Sequence, residues 1–220
     1  MQREATDARS LPSFASRAGT VPQAWDRLES HLAAHGLVLD RGCEPRQFAS
    51  GFGNLNYLIQ VDGQPAVLRR PPLGPIPPGA NDMARESRIL TRLWQAFPLA
   101  PRCLHFCADE AVLGACFLIM QYRPGLVIGA EMPEAFRGDR AAAAGLGAML
   151  VRELVHLHAV DVAAVGLQDL GRPEGFLART AAGWSKRAAL AWQSGTPSVL
   201  KELLENSDSF RANARAKAEH

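Results

Sequence analysis

The chain is short of several features that would fix its class at once. It has no excess of one charge, with a formal net charge of +2 at pH 7. A broad basic surface for nucleic acid is therefore not expected. Long apolar runs are missing too. The longest, Ala111 to Met120, is too short to cross a bilayer, so no membrane partner is expected. The amino-terminal arginines are not followed by an apolar core, as a secretory signal requires. Glu4 and Asp7 are unlike an acid-poor transit sequence. The cytoplasm is the expected compartment. Cysteine is sparse: Cys43, Cys103, Cys107 and Cys116. Cys103-Leu-His105-Phe-Cys107 has the look of a metal clip. No second ligand pair stands at zinc-site spacing, and the run reads as a buried strand, so no metal site is assigned. What remains is an apolar fraction of 47%, ordinary for a globular protein.

The informative stretch is residues 47–70. Gln47-Phe48-Ala49-Ser50 leads into Gly51-Phe52-Gly53-Asn54, and Leu55 to Val61 has the aromatic and β-branched content of a strand. Asp62-Gly63 is a hairpin signal. Ala66-Val67-Leu68 then runs into Arg69 and Arg70, and Pro71-Pro72 stops the strand. Three phosphate-binding plans use glycine-rich loops. The Walker loop needs a Gly-Lys-Ser/Thr ending, which is absent. The dinucleotide loop needs a helix after its glycines, and here a strand follows. The kinase-like plan of strand, glycine loop, strand, turn and cation-bearing strand matches in order. An ordinary hairpin tip has the same glycines.

Around this stretch the chain divides into four parts: a loosely ordered residues 1–20, residues 21–122, residues 123–206, and a tail from 207 to 220 with little to bury. Val21 to Leu39 reads as a helix with Trp25, Leu28 and Leu32 at helical spacing and Gly36 as its stop. The proline-rich residues 71–80 join no sheet or helix. Asn81 or Asp82 then caps a helix running to about Phe97. Glu86 shares that helix's apolar face with Ile89 and Leu90. A carboxylate there is costly unless paired, and Arg69 or Arg70 on the preceding strand is one partner. The alternative is an exposed Glu86 paired with Arg85, with Arg88 or with nothing. Arg102 to Ala108 and Ala115 to Tyr122 read as two further strands around a turn, giving five strands and one helix before residue 123. Beyond Arg123-Pro124-Gly125 the character is helical. Asp139 caps a helix through Leu157 with Leu146, Met149, Leu150, Leu154 and Leu157 as its apolar stripe, and His156 and His158 as packing residues. Helices then follow from Phe176 towards Trp192 and from Thr196.

Taken together, Gly51-Phe-Gly-Asn54-Leu-Asn-Tyr57, Val67-Leu-Arg69-Arg70, Asp82-Met-Ala-Arg-Glu86 and Phe117-Leu-Ile-Met120-Gln-Tyr-Arg-Pro-Gly125 resemble the aminoglycoside phosphotransferase family. The likeness is strongest to its branch found fused to or beside acyl-CoA dehydrogenases. Leu157-His-Ala-Val-Asp161 and Gly171-Arg-Pro-Glu-Gly-Phe-Leu177 resemble that branch as well. The resemblance runs from about residue 40 to about residue 192. It implies an α+β, protein-kinase-like fold: a five-stranded antiparallel N-lobe with one helix, residues 21–122, and the first helices of an α-helical C-lobe, residues 123–206. It implies that Gly51, Gly53 and Asn54 lie over the phosphates of ATP. Arg69, with Arg70 as the other candidate, supplies the cation on the third strand, and Glu86 orients it through an ion pair. The backbone of Gln121, Tyr122 and Arg123 forms the hinge to an adenine.

Members of the family continue into a His-Gly-Asp…Asn catalytic loop and a second aspartate that binds Mg²⁺. Phosphoryl transfer depends on that half. The sequence holds neither. His158-Ala-Val-Asp161 with Asp169 is a superficial likeness whose spacing is wrong, so no catalytic residue and no magnesium ligand is assigned. The expected function is thus an ATP-dependent phosphotransferase of a small hydroxylated substrate by descent, inactive as these residues. The alternative is a non-catalytic nucleotide-binding or partner-binding module that self-associates through exposed C-lobe surface. An unrelated α+β protein is the third reading, and it gains if Arg69 and Glu86 lie far apart.

Overall fold

The computed structural model describes residues 12–49, 53–74, 76, 80–128, 132–172 and 174–191. The chain divides into two compact units, Met1–Leu167 and Gln168–His220.

The first unit is built on one five-stranded sheet: β1 (Arg46–Gln47), β2 (Leu55–Val61), β3 (Gln64–Arg70), β4 (Cys103–Cys107) and β5 (Phe117–Gln121). Their order across the sheet is β1-β2-β3-β5-β4, and every pairing is antiparallel. The β2–β3 hairpin closes through Asp62 and Gly63, with φ of 51° and 71°. Positive φ at both central residues is the turn whose twist matches the strands, which is why Asp-Gly stands here. A Cβ on Gly63 would meet no atom within 4 Å, so only the backbone conformation requires glycine.

Strand alternation sorts the sheet into two faces. Tyr57, Ile59, Val61, Ala66, Leu68, Phe117 and Ile119 point one way and form the core with Leu28 and Leu32 of α1 (Trp25–Ala34). Val112 and Leu113 of the short helix α3 (Glu110–Leu113) complete it, lying inside the segment expected to be a turn. The helix α1 is shorter than the 21–39 expected. Before it, Val21 N–H donates to Gln47 Oε1 at 2.7 Å, which holds the chain extended. After it, Gly36 turns with φ 74°.

The opposite face of the sheet is covered by α2 (Met83–Arg92), which buries Met83 and Leu90. Asp82 is the cap, accepting from Arg85 N–H at 2.9 Å. A 3-10 turn, Leu93–Gln95, extends the helix towards the expected end near Phe97.

Three differences from the sequence reading have plain causes. Residues 13–20, expected to be loose, are tied to β1 and the segment after it, with Ala15 N–H on Gln47 O and Ala49 N–H on Ser13 O, both at 2.9 Å. The run Cys103–Cys107 is an edge strand, not a buried one, and Leu104 is exposed. The helix α4 (Arg140–His158) forms with Asp139 as its cap, yet no residue on it is buried. Met149, Leu150 and Leu154 of its apolar stripe are exposed, as are His156 and His158, which are therefore not packing residues. In the second unit α5 (Phe176–Ala191) follows a turn at Gly175, where Arg179 donates to the carbonyls of Arg172 and Glu174. The helix expected from Thr196 and the 207–220 tail lie outside the described residues.

Arg70 is the one charged side chain among the core residues of the first unit, at 4% exposure among the described residues. Its guanidinium donates to Leu113 O and to Gln23 Oε1, and Gln23 in turn meets the Tyr57 hydroxyl at 2.8 Å. Arg70→Ala should lower the unfolding free energy by about 2–4 kcal/mol, because it strands buried acceptors and opens a cavity. Gly63→Ala should cost about 1 kcal/mol through φ alone. Urea midpoints check both, and a shift within error at Arg70 would contradict its structural role.

Candidate nucleotide site

The face of the sheet opposite the Tyr57 core carries the candidate site. Strand register places Asn56 opposite Arg69, and Arg69 opposite Leu118. Arg69 is one step from Arg70 along β3 and so points to the other face. There its Nη1 donates to Glu86 Oε1 at 2.7 Å, across 17 residues of sequence. Both side chains are partly exposed, at 30% and 27%. Glu86 reaches the pair because Asp82 fixes where α2 starts and Glu86 falls one turn later. Of the partners open to Glu86 in the sequence, the structure selects Arg69. Arg70 is committed to Leu113 and Gln23, and the pairing removes the condition that favoured an unrelated hairpin protein.

Asn54 adds a second hold on Arg69. With its amide oxygen towards the guanidinium, Asn54 accepts from Arg69 Nε and Nη2 at 3.1 and 3.2 Å, and its nitrogen donates to Gly53 O at 2.9 Å. Five N–H donors sit on an arginine side chain. Glu86 and Asn54 together take three, which leaves one on Nη1 and one on Nη2 for an anionic oxygen. Asn56 Oδ1 is buried on this face with no hydrogen-bond partner among the described residues.

Of the loop glycines, Gly51 lies outside the described residues. Gly53 is described, and a Cβ there would meet no atom within 4 Å. Its carbonyl accepts from Asn81 Nδ2, and Asn81 holds φ of 54°. Sequence reading weighed Asn81 only as a helix cap. The residue instead ties the end of the proline-rich loop to the glycine loop. The signal was an asparagine at a sharp turn, since asparagine tolerates the left-handed region.

The three hinge residues come together at the end of β5. Gln121 N–H donates to Arg102 O at 2.8 Å. The Tyr122 ring stacks near Phe48, centroids 6.5 Å apart, and Phe48 packs on Phe14 at 5.0 Å. Arg123 donates from Nη2 to Pro98 O and Ala100 O, at 2.7 and 3.0 Å, which braces the strand exit. Cys103 lies on the α2 side, where its thiol faces Thr91 and Glu86, and burial raises its pKa. Asp161, part of the superficial catalytic likeness, accepts from the N–H groups of Ala163 and Ala164 at 2.9 and 3.1 Å, as a turn-capping aspartate does.

Comparisons with known proteins bear on the family and the fold. The profile of the phosphotransferase enzyme family, APH, matches residues 44–218. Acyl-CoA dehydrogenase family member 11 of Gallus gallus is 33% identical over 156 residues, 70% of this chain and 19% of that protein. Acyl-CoA dehydrogenase family member 10 of Mus musculus is 29% identical over 182 residues, 81% of this chain and 16% of that protein. The chain thus spans about a fifth of the length of these relatives. A crystal structure of a Ralstonia eutropha protein assigned as an aminoglycoside phosphotransferase superposes with a TM-score of 0.59 at 23% identity. It covers 84% of this chain and 52% of its own, and it supports the kinase-like α+β fold. The chain belongs to the phosphotransferase enzyme family, with acyl-CoA dehydrogenase family members among its relatives.

Proposed function

We propose that this chain is the nucleotide-binding part of an ATP-dependent phosphotransferase that acts on a small hydroxylated substrate. Residues 21–122 serve as its N-lobe and residues 123–206 as the start of its C-lobe. The Arg69–Glu86 pair at 2.7 Å carries the reading. A cation with two spare donors, held from behind by a carboxylate and from the side by Asn54, is suited to receive a phosphate. Arginine in place of lysine keeps the charge and presents a planar fork. Gly51 and Gly53 cover the phosphates, and the open space around Gly53 is what such a loop leaves. The Gln121 N–H is spent on Arg102 O, so of the hinge backbone of Gln121, Tyr122 and Arg123 the N–H donors to a base fall to Tyr122 and Arg123.

ATP, when bound, supplies the transferable phosphoryl group. The residues of this chain bind and orient it. Glu86, the carboxylate beside Arg69, is taken by the guanidinium, and the sequence carries no His-Gly-Asp loop or second aspartate for Mg²⁺. As these 220 residues the protein therefore binds nucleotide without transferring phosphate.

A second reading, a partner-binding module, is favoured by one observation. Met149, Leu150, Val151, Leu154 and Val155 of α4 are all exposed. Such a surface promotes association.

Calorimetric titration with ATP, with and without Mg²⁺, tests the first reading. Saturable binding that barely responds to Mg²⁺ is expected, and no binding by the folded protein would contradict it. Sedimentation at rising protein concentration tests the second. Self-association that ATP leaves unchanged and Leu150→Lys weakens is expected. A monomer at all concentrations would remove it.

A further inference from the structure

We propose that His31, His35 and His105 form a site for one divalent transition-metal ion of the zinc class, which would clamp α1 to the edge strand β4. The three residues are the group of metal-ligating side chains found close together among the described residues. Their ligand atoms all lie within 4.8 Å of one another. His31 and His35 are one turn apart at the end of α1, and their rings are 4.3 Å apart. His105 reaches them from β4, 74 residues beyond His31, with both ring separations at 5.0 Å.

A bulge in β4 makes the cluster. The register runs from Cys103↔Met120 to His105↔Ile119, two steps on β4 against one on β5. Without that shift Cys103, His105 and Cys107 would share a face. With it Cys103 turns to the α2 side, and His105 turns to the α1 side beside Phe117. The clip suggested by the sequence thereby loses Cys103, while Cys107 stays on the face of His105, and His105 meets two histidines of another element.

The donor chemistry suits a metal. His35 Nδ1 donates to His31 O at 2.8 Å, since a carbonyl only accepts. In the neutral ring Nε2 then keeps a lone pair, the usual arrangement for a ligating histidine. The Nε2 atoms of His31 and His105 face each other at 2.9 Å. Two nitrogens on one tetrahedral ion at 2.0–2.1 Å stand about 3.3 Å apart, so an opening of a few tenths of an ångström admits the ion. His35 is exposed and leaves an entry path. Three imidazoles select zinc, cobalt, nickel or copper over magnesium. The site lies on the face of the sheet opposite Arg69 and is distinct from the nucleotide site.

The test is calorimetric titration of the whole chain with ZnCl₂, paired with the visible spectrum on adding CoCl₂. Saturable one-to-one zinc binding, a rise in melting temperature and cobalt d–d bands without a sulfur charge-transfer band are expected. His35→Ala, at an exposed position that leaves the core intact, and His105→Ala should each weaken zinc binding at least about ten-fold. His158→Ala, on α4, should leave it unchanged. No binding by the folded wild-type protein would overturn the proposal. So would affinity that survives His35→Ala, or a sulfur charge-transfer band that assigns the ion to the cysteines.

Discussion

Successive residues on a strand point to opposite faces, and on β3 that rule separates two adjacent arginines. Arg70 enters the core, where the Leu113 carbonyl and Gln23 hold it at 4% exposure. Arg69 is thereby committed to the other face, where α2 lies. A slip of one residue in the β2–β3 register would exchange the two, burying the wrong cation and leaving Glu86 without a partner. The Asp62–Gly63 turn fixes that register at one end. Much of the candidate site follows from a two-residue turn and a strand period.

The helix side of the pair depends on a different fixed point. Asp82 caps α2, and that cap sets where Glu86 falls around the helix. The helix is anchored by burying Met83 and Leu90, so Glu86 is delivered by apolar packing and receives its partner from the sheet. With both side chains about a third exposed, the pair adds little stability, roughly 1 kcal/mol or less for such ion pairs. Its value lies in orientation, because a guanidinium restrained by Glu86 and Asn54 presents its remaining donors in a set direction.

The parts that sequence conveys best are those with short-range signals. The β2–β3 hairpin, the Asp82 and Asp139 caps and the carboxylate sharing a face with Ile89 and Leu90 were all legible, because turn chemistry and periodicity act over a few residues. Which arginine met Glu86 was left open in the sequence, since it depends on the register between strands. The β4 bulge was invisible, and with it the meeting of His105 with His31 and His35. Asn81 reaching Gly53 was also hidden, since nothing near either residue announces a contact 28 residues long. The apolar stripe of α4 is legible as a pattern, but the packing role read for His156 and His158 is not met, because a helix displays its periodicity whether or not a neighbour covers it.

The most direct test is a double-mutant cycle on ATP binding with Arg69→Ala, Glu86→Ala and the combined variant, each shown to be folded. If Arg69 receives the phosphate and Glu86 acts by positioning it, each single change weakens binding and the combined loss is smaller than their sum. Strict additivity, or affinity unchanged in Arg69→Ala, would contradict the account.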